Sequence, residues 1–449
     1  MAYRIKMFNC YIICYNNGWL VYDTVQALRK FTDVKPIVVD NFSTGKRTQF
    51  YLDRLETEGI TIIWCERNHG HTVVETIINP TEDIYLVTDP DLELSTLPQD
   101  TIQRLLQVSD AYQTGKVGVS LSIADKDDIL EGIYTDEKTI VEWESQFWTR
   151  LIDDLLYRAE IDTTFALLNK KYKTDSRLDG IRIAGPYTVR HLPWHKSWID
   201  TTNFSCLQEY LDTCRPTSTT AHLIRNYKFR SVTKNNQTFS VLNTVNKHFW
   251  AIYHNWENET FTVLDRFSDK SKTVIDIGSW IGPTVLYNSQ RYKQVVAVEA
   301  DRLSLEELKA NIKINNIKNV KIVPNAIYNK QTTVYFGKNL VLKNSRENDS
   351  TSQIHLSSSD KNAYPVQTTT LTELFKHIDP SDIALVKVDI EGSEEYILED
   401  LLLYNKLYKL PMFISFHYTW WNNKEKLNLL TADHAQLIRQ YPFHSILFS

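Results

Sequence analysis

A two-domain α/β chain with open, largely parallel sheets is the fold class the sequence predicts, and three observations carry that prediction. The chain has 449 residues, more than one hydrophobic core usually supports, so two domains are expected. Two stretches, residues 1–200 and those from about 240 onward, alternate short apolar runs with amphipathic segments, the mark of βα units. Within the second, residues 273–301 read TVIDIGSWIGPTVLYNSQRYKQVVAVEAD: a buried strand, a glycine loop, a helix, and a strand ending on a carboxylate. Between the stretches the chain turns polar around TSTT and KNNQTF. Domains are therefore expected at 1–205 and 236–449, with a connector over 206–235.

In the first domain the opening apolar run, 8–15, leads to Tyr15-Asn16-Asn17-Gly18, a turn that starts a helix through Leu28. A second strand at 35–39 is tipped by Asp40-Asn41 and the turn FSTG. A third at 60–65 precedes Arg67-Asn68-His69-Gly70, and a fourth at 83–87 runs into Thr88-Asp89-Pro90-Asp91. Polar turns thus follow each strand, where open α/β sheets bind ligands. Asp89 and Asp91, one residue apart past a buried strand, suit a hard divalent cation that would in turn bind a diphosphate. Pro90 fixes φ between them. The plainer reading is a solvated Asp-Pro turn.

Taken together, Tyr15-Asn16-Asn17, VVDNFSTG, RNHG and Asp89-Pro90-Asp91 make residues 8–100 resemble the nucleotide-binding half of a GT-A glycosyltransferase, most like compact forms from large DNA viruses. The resemblance implies a nucleotide-sugar donor (a UDP, GDP or dTDP sugar) near Tyr15, Asn17, Asp40, Asn41, Asn68 and Asp89. It also implies manganese or magnesium on Asp89 and Asp91, with a late histidine completing the set: His191, or else His195. Residues 139–158 (TIVEWESQFWTRLIDDLLYR) are helical in pattern and rich in acids. An inverting transferase needs one carboxylate to take the acceptor proton. The resemblance favours Glu144, with Asp153 or Asp154 as alternatives.

In the second domain the glycines at 278 and 282 let backbone approach a ligand, and Glu299 at the next strand tip suits two ribose hydroxyls. The G-x-x-x-G spacing points to the adenosine of S-adenosylmethionine over a dinucleotide. A helix is expected at 303–315 from Leu305, Leu308 and Ile312, then strands at 319–323, 383–388 and 412–416. IDIGSWIG, VVAVEAD, Asn325-Ala326 and VKVDIEGSE at 386–394 are similar to the FkbM family of S-adenosylmethionine-dependent methyltransferases, which have a Rossmann-like class I fold. The likeness implies donor binding by Asp276, Gly278, Gly282, Glu299, Asp301, Asn325 and Ala326, with Asp276 supporting the loop. Phe416-His417-Tyr418 replaces the usual acidic strand tip. Asp389, Glu391 and His417 are therefore all candidates for the base; His417 suits neutral pH at its ordinary pKa, and helix capping is the plainer role for the two acids.

Composition sets the outer limits. A formal net charge of -5 argues against nucleic acid as the main ligand. The 24 tyrosines and 11 tryptophans fit sugar handling as well as ordinary cores. Five cysteines without a C-x-x-C pair read as reduced thiols, not a zinc site or disulfide framework. The N-terminus lacks signal-peptide features and no apolar run reaches about 18 residues. A cytoplasmic enzyme (in host cytoplasm, if viral) acting on a glycan or glycoconjugate is the expectation, with a methyltransferase bearing a non-catalytic N-terminal domain, or a glycan-assembly scaffold, as alternatives.

Overall fold

The structure is a computed structural model that describes residues 7–174, 176–243, 246–337, 353–355, 363–426, 435–439 and 444–448. It divides into two compact units, Met1–Tyr227 and Lys228–Ser449.

The first unit opens with β1 (Phe8–Cys14), α1 (Gly18–Leu28), β2 (Val34–Asp40), α2 (Lys46–Thr57), β3 (Thr61–Trp64) and β4 (Ile84–Thr88). β1 lies parallel between β2 and β4, and β3 extends the sheet beyond β2. The inner strands β1, β2 and β4 are largely apolar because both faces are covered; Ile12, Val38 and Leu86 are fully buried. Then come α3 (Thr101–Tyr112), β5 (Lys116–Leu121), α4 (Ile140–Ser145), β6 (Leu151–Asp153), β7 (Leu156–Glu160), β8 (Ala166–Asn169) and β9 (Asp179–Val189). They complete a nine-stranded sheet of order β3-β2-β1-β4-β8-β5-β9-β7-β6. Helices α5 (Lys196–Thr201), α6 (Phe204–Thr213) and α7 (Thr219–Lys228) follow.

One expectation changes here. The helix predicted over 139–158 stops early, and residues 151–160 form a hairpin against β9. Asp153 accepts the Asp154 N–H at 2.7 Å and Leu155 takes φ +60°, so Asp turn chemistry and sheet pairing override the helical periodicity. The connector at 206–235 is ordered: α6 and α7 bury Leu207, Leu211, Leu223 and Ile224. Its end is the hairpin of β10 (Phe229–Lys234) and β11 (Gln237–Leu242).

The second unit continues with α8 (Lys247–Ile252), α9 (Asn258–Arg266), β12 (Thr273–Ile277), α10 (Pro283–Ser289), β13 (Gln294–Val298), α11 (Arg302–Ile314) and β14 (Val320–Val323). After β15 (Ala326–Ile327), β16 (Thr333–Gly337), β17 (Gln353–His355) and β18 (Tyr364–Thr369) come α12 (Leu371–Phe375), β19 (Ile383–Val388), α13 (Leu398–Tyr408), β20 (Met412–Phe416), β21 (Ala435–Arg439) and β22 (His444–Phe448). The main sheet runs β14-β13-β12-β19-β20-β22-β21, parallel from β14 to β20 and antiparallel beyond. Strand order reverses between β12 and β19, and open α/β sheets take ligands at such a switch point. β15 to β18 form a separate four-stranded sheet. Residues 338–352 and 356–362 lie outside the described residues.

Among the described residues no helix is long and apolar enough to cross a membrane. The five cysteines are free thiols.

Candidate functional site

A cavity of ≈ 520 Å³ opens at the carboxyl ends of four neighbouring strands in the second unit. Each strand contributes its tip: Gly278 after β12, Glu299 after β13, Asp389 after β19 and His417 after β20. A pocket of this size suits a cofactor-sized ligand.

The glycine loop is built for close approach. Gly278 has φ +81°, and a Cβ there would sit 1.7 Å from the Asp389 carbonyl oxygen. No side chain fits, which leaves its backbone exposed to the cavity. Gly282, by contrast, does not line the cavity among the described residues. Its φ of +95° starts α10, and its missing Cβ makes room for Leu308. The glycine is there for packing, not contact.

Asp276 likewise stands behind the wall. It is fully buried, accepts from Thr284 Oγ1 at 2.5 Å, and pairs with Lys387 Nζ at 3.0 Å. Lys387 also donates to the Gly278 carbonyl at 3.3 Å. Burial works against its charge, but Asp276 and Asp389 more than offset that and hold its pKa above the ordinary lysine value. This buried lysine, unremarked inside VKVDIEGSE, ties the glycine loop to β19.

Glu299 accepts the N–H of Trp280 at 2.6 Å and of Asp301 at 2.7 Å, and burial pushes its carboxyl up to about 7. Asp301 caps α11 through the N–H groups of Leu303 and Ser304 and accepts Tyr364 OH at 3.0 Å. Asn325 and Ala326 line the cavity, with Asn325 Nδ2 donating to the Gln367 carbonyl at 3.2 Å. An aromatic wall completes it: Phe249 packs against Trp280 and Trp256 at 4.5 and 5.1 Å between ring centroids. The motif reading passed over this wall, because such rings look like core filling when only their sequence is visible.

Opposite lies an acid–histidine cluster. His417 Nε2 is 3.7 Å from Asp389 and 3.4 Å from Glu391, while its Nδ1 meets Glu394 at 3.1 Å. Its ring stacks on Trp420 at 5.2 Å, with 7° between planes. Glu394, fully buried, also accepts from the N–H groups of Ile390 and Gly392 and from Trp421 Nε1. It does the loop-bracing work expected of Asp389 and Glu391, which are left facing the cavity. Burial lowers the His417 pKa, yet the neighbouring carboxylates, Glu394 foremost, outweigh it and lift His417 to about 9.

The candidate residues of the first unit are more self-contained. Asn41 bonds Asn68, the Gly70 carbonyl and the His69 N–H, and Asp40 accepts the Ser43 N–H at 3.1 Å. Asn17 accepts the Tyr15 N–H at 3.0 Å. Asn16, which the motif reading left without a role, adopts φ +54° and accepts from Thr44 and Gly45. Asp91 and His191 do meet, at 3.5 Å, because the segment holding Leu92 pairs with that holding His191. Asp91 Oδ1 and His191 Nδ1 are buried without hydrogen-bond partners, which fits a cation site. Asp89 instead bonds the Thr163 hydroxyl, and Asp89, Asp91 and His191 do not form a three-ligand group among the described residues, whereas Asp389, Glu391 and His417 do.

His195 is committed to Asp128 at 3.0 Å. Glu144 is buried against Arg182 at 2.5 Å, with burial pushing it up to about 7. Asp153 and Asp154 are exposed at the hairpin turn, remote in character from a buried base.

The family model described as Methyltransferase FkbM domain matches residues 276–444. The second unit thus carries an FkbM methyltransferase domain. No curated protein matches the chain. Among solved structures, an rRNA methylase from Streptococcus thermophilus is similar at 13% identity, covering 42% of this chain and 90% of that one, with a TM-score of 0.26. A putative methyltransferase from Streptococcus mutans in complex with SAH shares 13% identity over 42% of this chain and 95% of that one, TM-score 0.26. S. aureus TarS 1-349 shares 10% over 80% of this chain and 99% of that one, TM-score 0.26.

Proposed function

We propose that the chain modifies glycans with two activities: O-methylation of a sugar hydroxyl by the second unit, with S-adenosylmethionine as donor, and metal-dependent sugar transfer from a nucleotide sugar by the first. The observation that carries the methyl-transfer reading is the cavity at four strand tips, with Gly278 and Glu299 on one wall and Asp389 and His417 on another. The residues fit the donor. Gly278 lines the cavity with backbone alone, since a Cβ there would strike the Asp389 carbonyl, and Glu299 offers a buried carboxylate beside it.

When bound, the donor supplies an electrophilic methyl carbon on a sulfonium. Glu299 would accept the ribose hydroxyls, and Gly278, Asn325 and Ala326, which line the same cavity, would hold the rest of the nucleoside. Phe249, Trp256 and Trp280 exclude water and offer faces to an apolar sugar surface. In this reading the acid–histidine cluster, which lines the same cavity, receives the proton of the acceptor hydroxyl as the new bond forms, and alignment of the two partners supplies the rest of the rate. In the first unit Asp91 and His191 would hold the cation, and Glu144 would act on the acceptor.

A second reading keeps only methyl transfer, with the first unit binding glycan or sugar nucleotide without catalysis. The bonds of Asp89 to Thr163 and of Glu144 to Arg182 favour it, since both acids are already engaged. Mass spectrometry of products separates the two. The full chain is incubated with a panel of nucleotide sugars and glycan acceptors, with and without S-adenosylmethionine. The two-activity reading expects a sugar increment plus one methylene, the sugar increment vanishing in Asp91→Ala. A methylene increment alone, unchanged by Asp91→Ala, supports the second reading; methylation of acceptors without any sugar sinks both.

A further inference from the structure

We infer that Asp389, Glu391 and His417 form a divalent-cation site in the second unit, at the acceptor end of the methyl-donor cavity. One nitrogen and two carboxylates face a common point: His417 Nε2 stands 3.7 Å from Asp389 and 3.4 Å from Glu391, and all three ligand atoms fall within 4.8 Å of one another. Ligands bound about 2.1 Å from one ion lie no more than about 4.2 Å apart, so small rotations of two half-buried carboxylates close the set.

The surroundings are those of a metal-binding histidine. Such a ring usually donates its other N–H to a carboxylate, which fixes the tautomer and aims the ligating nitrogen. Glu394 occupies that position at 3.1 Å from Nδ1, itself pinned by backbone N–H groups and Trp421, and Trp420 holds the ring from its face. Asp389 Oδ1, turned toward His417, is buried without a hydrogen-bond partner. A carboxylate oxygen in that situation calls for a cation or an acid proton.

Two carboxylates and one imidazole suit a first-row divalent ion such as Mn²⁺, which accepts both donor types. Three protein ligands leave positions open toward the cavity. The role of the ion, though not its binding, rests on the methyltransferase reading. An acceptor hydroxyl in an open position is acidified and passes its proton to water. The O–CH₃ bond then forms as the CH₃–S bond breaks, and the sulfonium leaves as a neutral thioether.

The test is Mn²⁺ binding to the full-length chain, read by electron paramagnetic resonance, with Asp91→Asn as background to disarm the first unit. One Mn²⁺ per chain is expected, at least tenfold weaker in Asp389→Asn or Glu391→Gln, and about 10–100-fold weaker in Glu394→Gln. Unchanged thermal unfolding shows that the variants remain folded. If the Asp91→Asn chain binds S-adenosylhomocysteine by calorimetry but no Mn²⁺, the cation site is overturned while the methyltransferase reading stands. Mn²⁺ binding indifferent to all three substitutions overturns it equally.

Discussion

The two clefts of this chain hold similar residue types in different states of commitment. In the second unit, strand tips converge on a cavity and its polar groups are braced from behind: Lys387 by Asp276, His417 by Glu394, Glu299 by two backbone N–H groups. In the first unit, several candidate side chains are already engaged by neighbouring protein groups. Asp89 holds Thr163, Glu144 holds Arg182, and Asn41 closes on Asn68 and Gly70. The difference is instructive: a motif names residues, but whether they face a ligand depends on which other buried groups satisfy them first.

The largest expected effect tests the bracing. Lys387→Met leaves Asp276 as an uncompensated buried charge and should cost about 3–5 kcal/mol of stability by denaturant unfolding. Adding Asp276→Asn should recover part of it. A loss below about 1 kcal/mol would mean the pair is not what holds the glycine loop to β19.

Next comes the glycine loop. In Gly278→Ala the methyl meets the Asp389 carbonyl at φ +81°, so S-adenosylmethionine affinity should fall about 100-fold. Gly282→Ala should act on stability first, through Leu308, with the affinity of the chain that remains folded less affected. Equal effects on affinity would erase the distinction between contact and packing glycines.

A smaller effect is pH-dependent. Burial raises Glu299 to about 7, so it is ionised above that pH and protonated below it. Only the carboxylate accepts both ribose hydroxyls, so donor affinity should hold above pH 7 and weaken by up to about tenfold per unit below it. Glu299→Gln should bind more weakly and with a flat profile; a slope that survives the substitution would assign the proton elsewhere.

The smallest effect probes the first unit. Thr163→Val removes the hydroxyl that holds Asp89, which should free it to join Asp91 and His191 and raise Mn²⁺ affinity there about threefold. A fall instead would show that the Thr163 bond belongs to the working site, and would make the two clefts more alike.

The contrast also explains what was legible from the sequence. Strands Thr273–Ile277, Ile383–Val388 and Met412–Phe416 could be read because they are buried on both faces and therefore largely apolar. The glycine loop could be read because φ above zero is restricted to few residue types. Lys387 and Glu394 could not, since a charge inside a strand or after a turn looks solvent-facing until its buried partner, more than 20 or 100 residues away, is placed. The hairpin at 151–160 was hidden for a related reason: its pairing with β9 is non-local, whereas the helical pattern that masks it is local. Asn16, at φ +54°, sits in a turn whose residues are all polar, so nothing singled it out from its neighbours.

The central claim is that the cavity at the four strand tips is a methyl-donor site. Calorimetric titration of the full-length chain with S-adenosylmethionine tests it most directly. One site per chain, weakened about 100-fold in Gly278→Ala, is the predicted result. A folded chain that shows no binding, or binding untouched by that substitution, would contradict it.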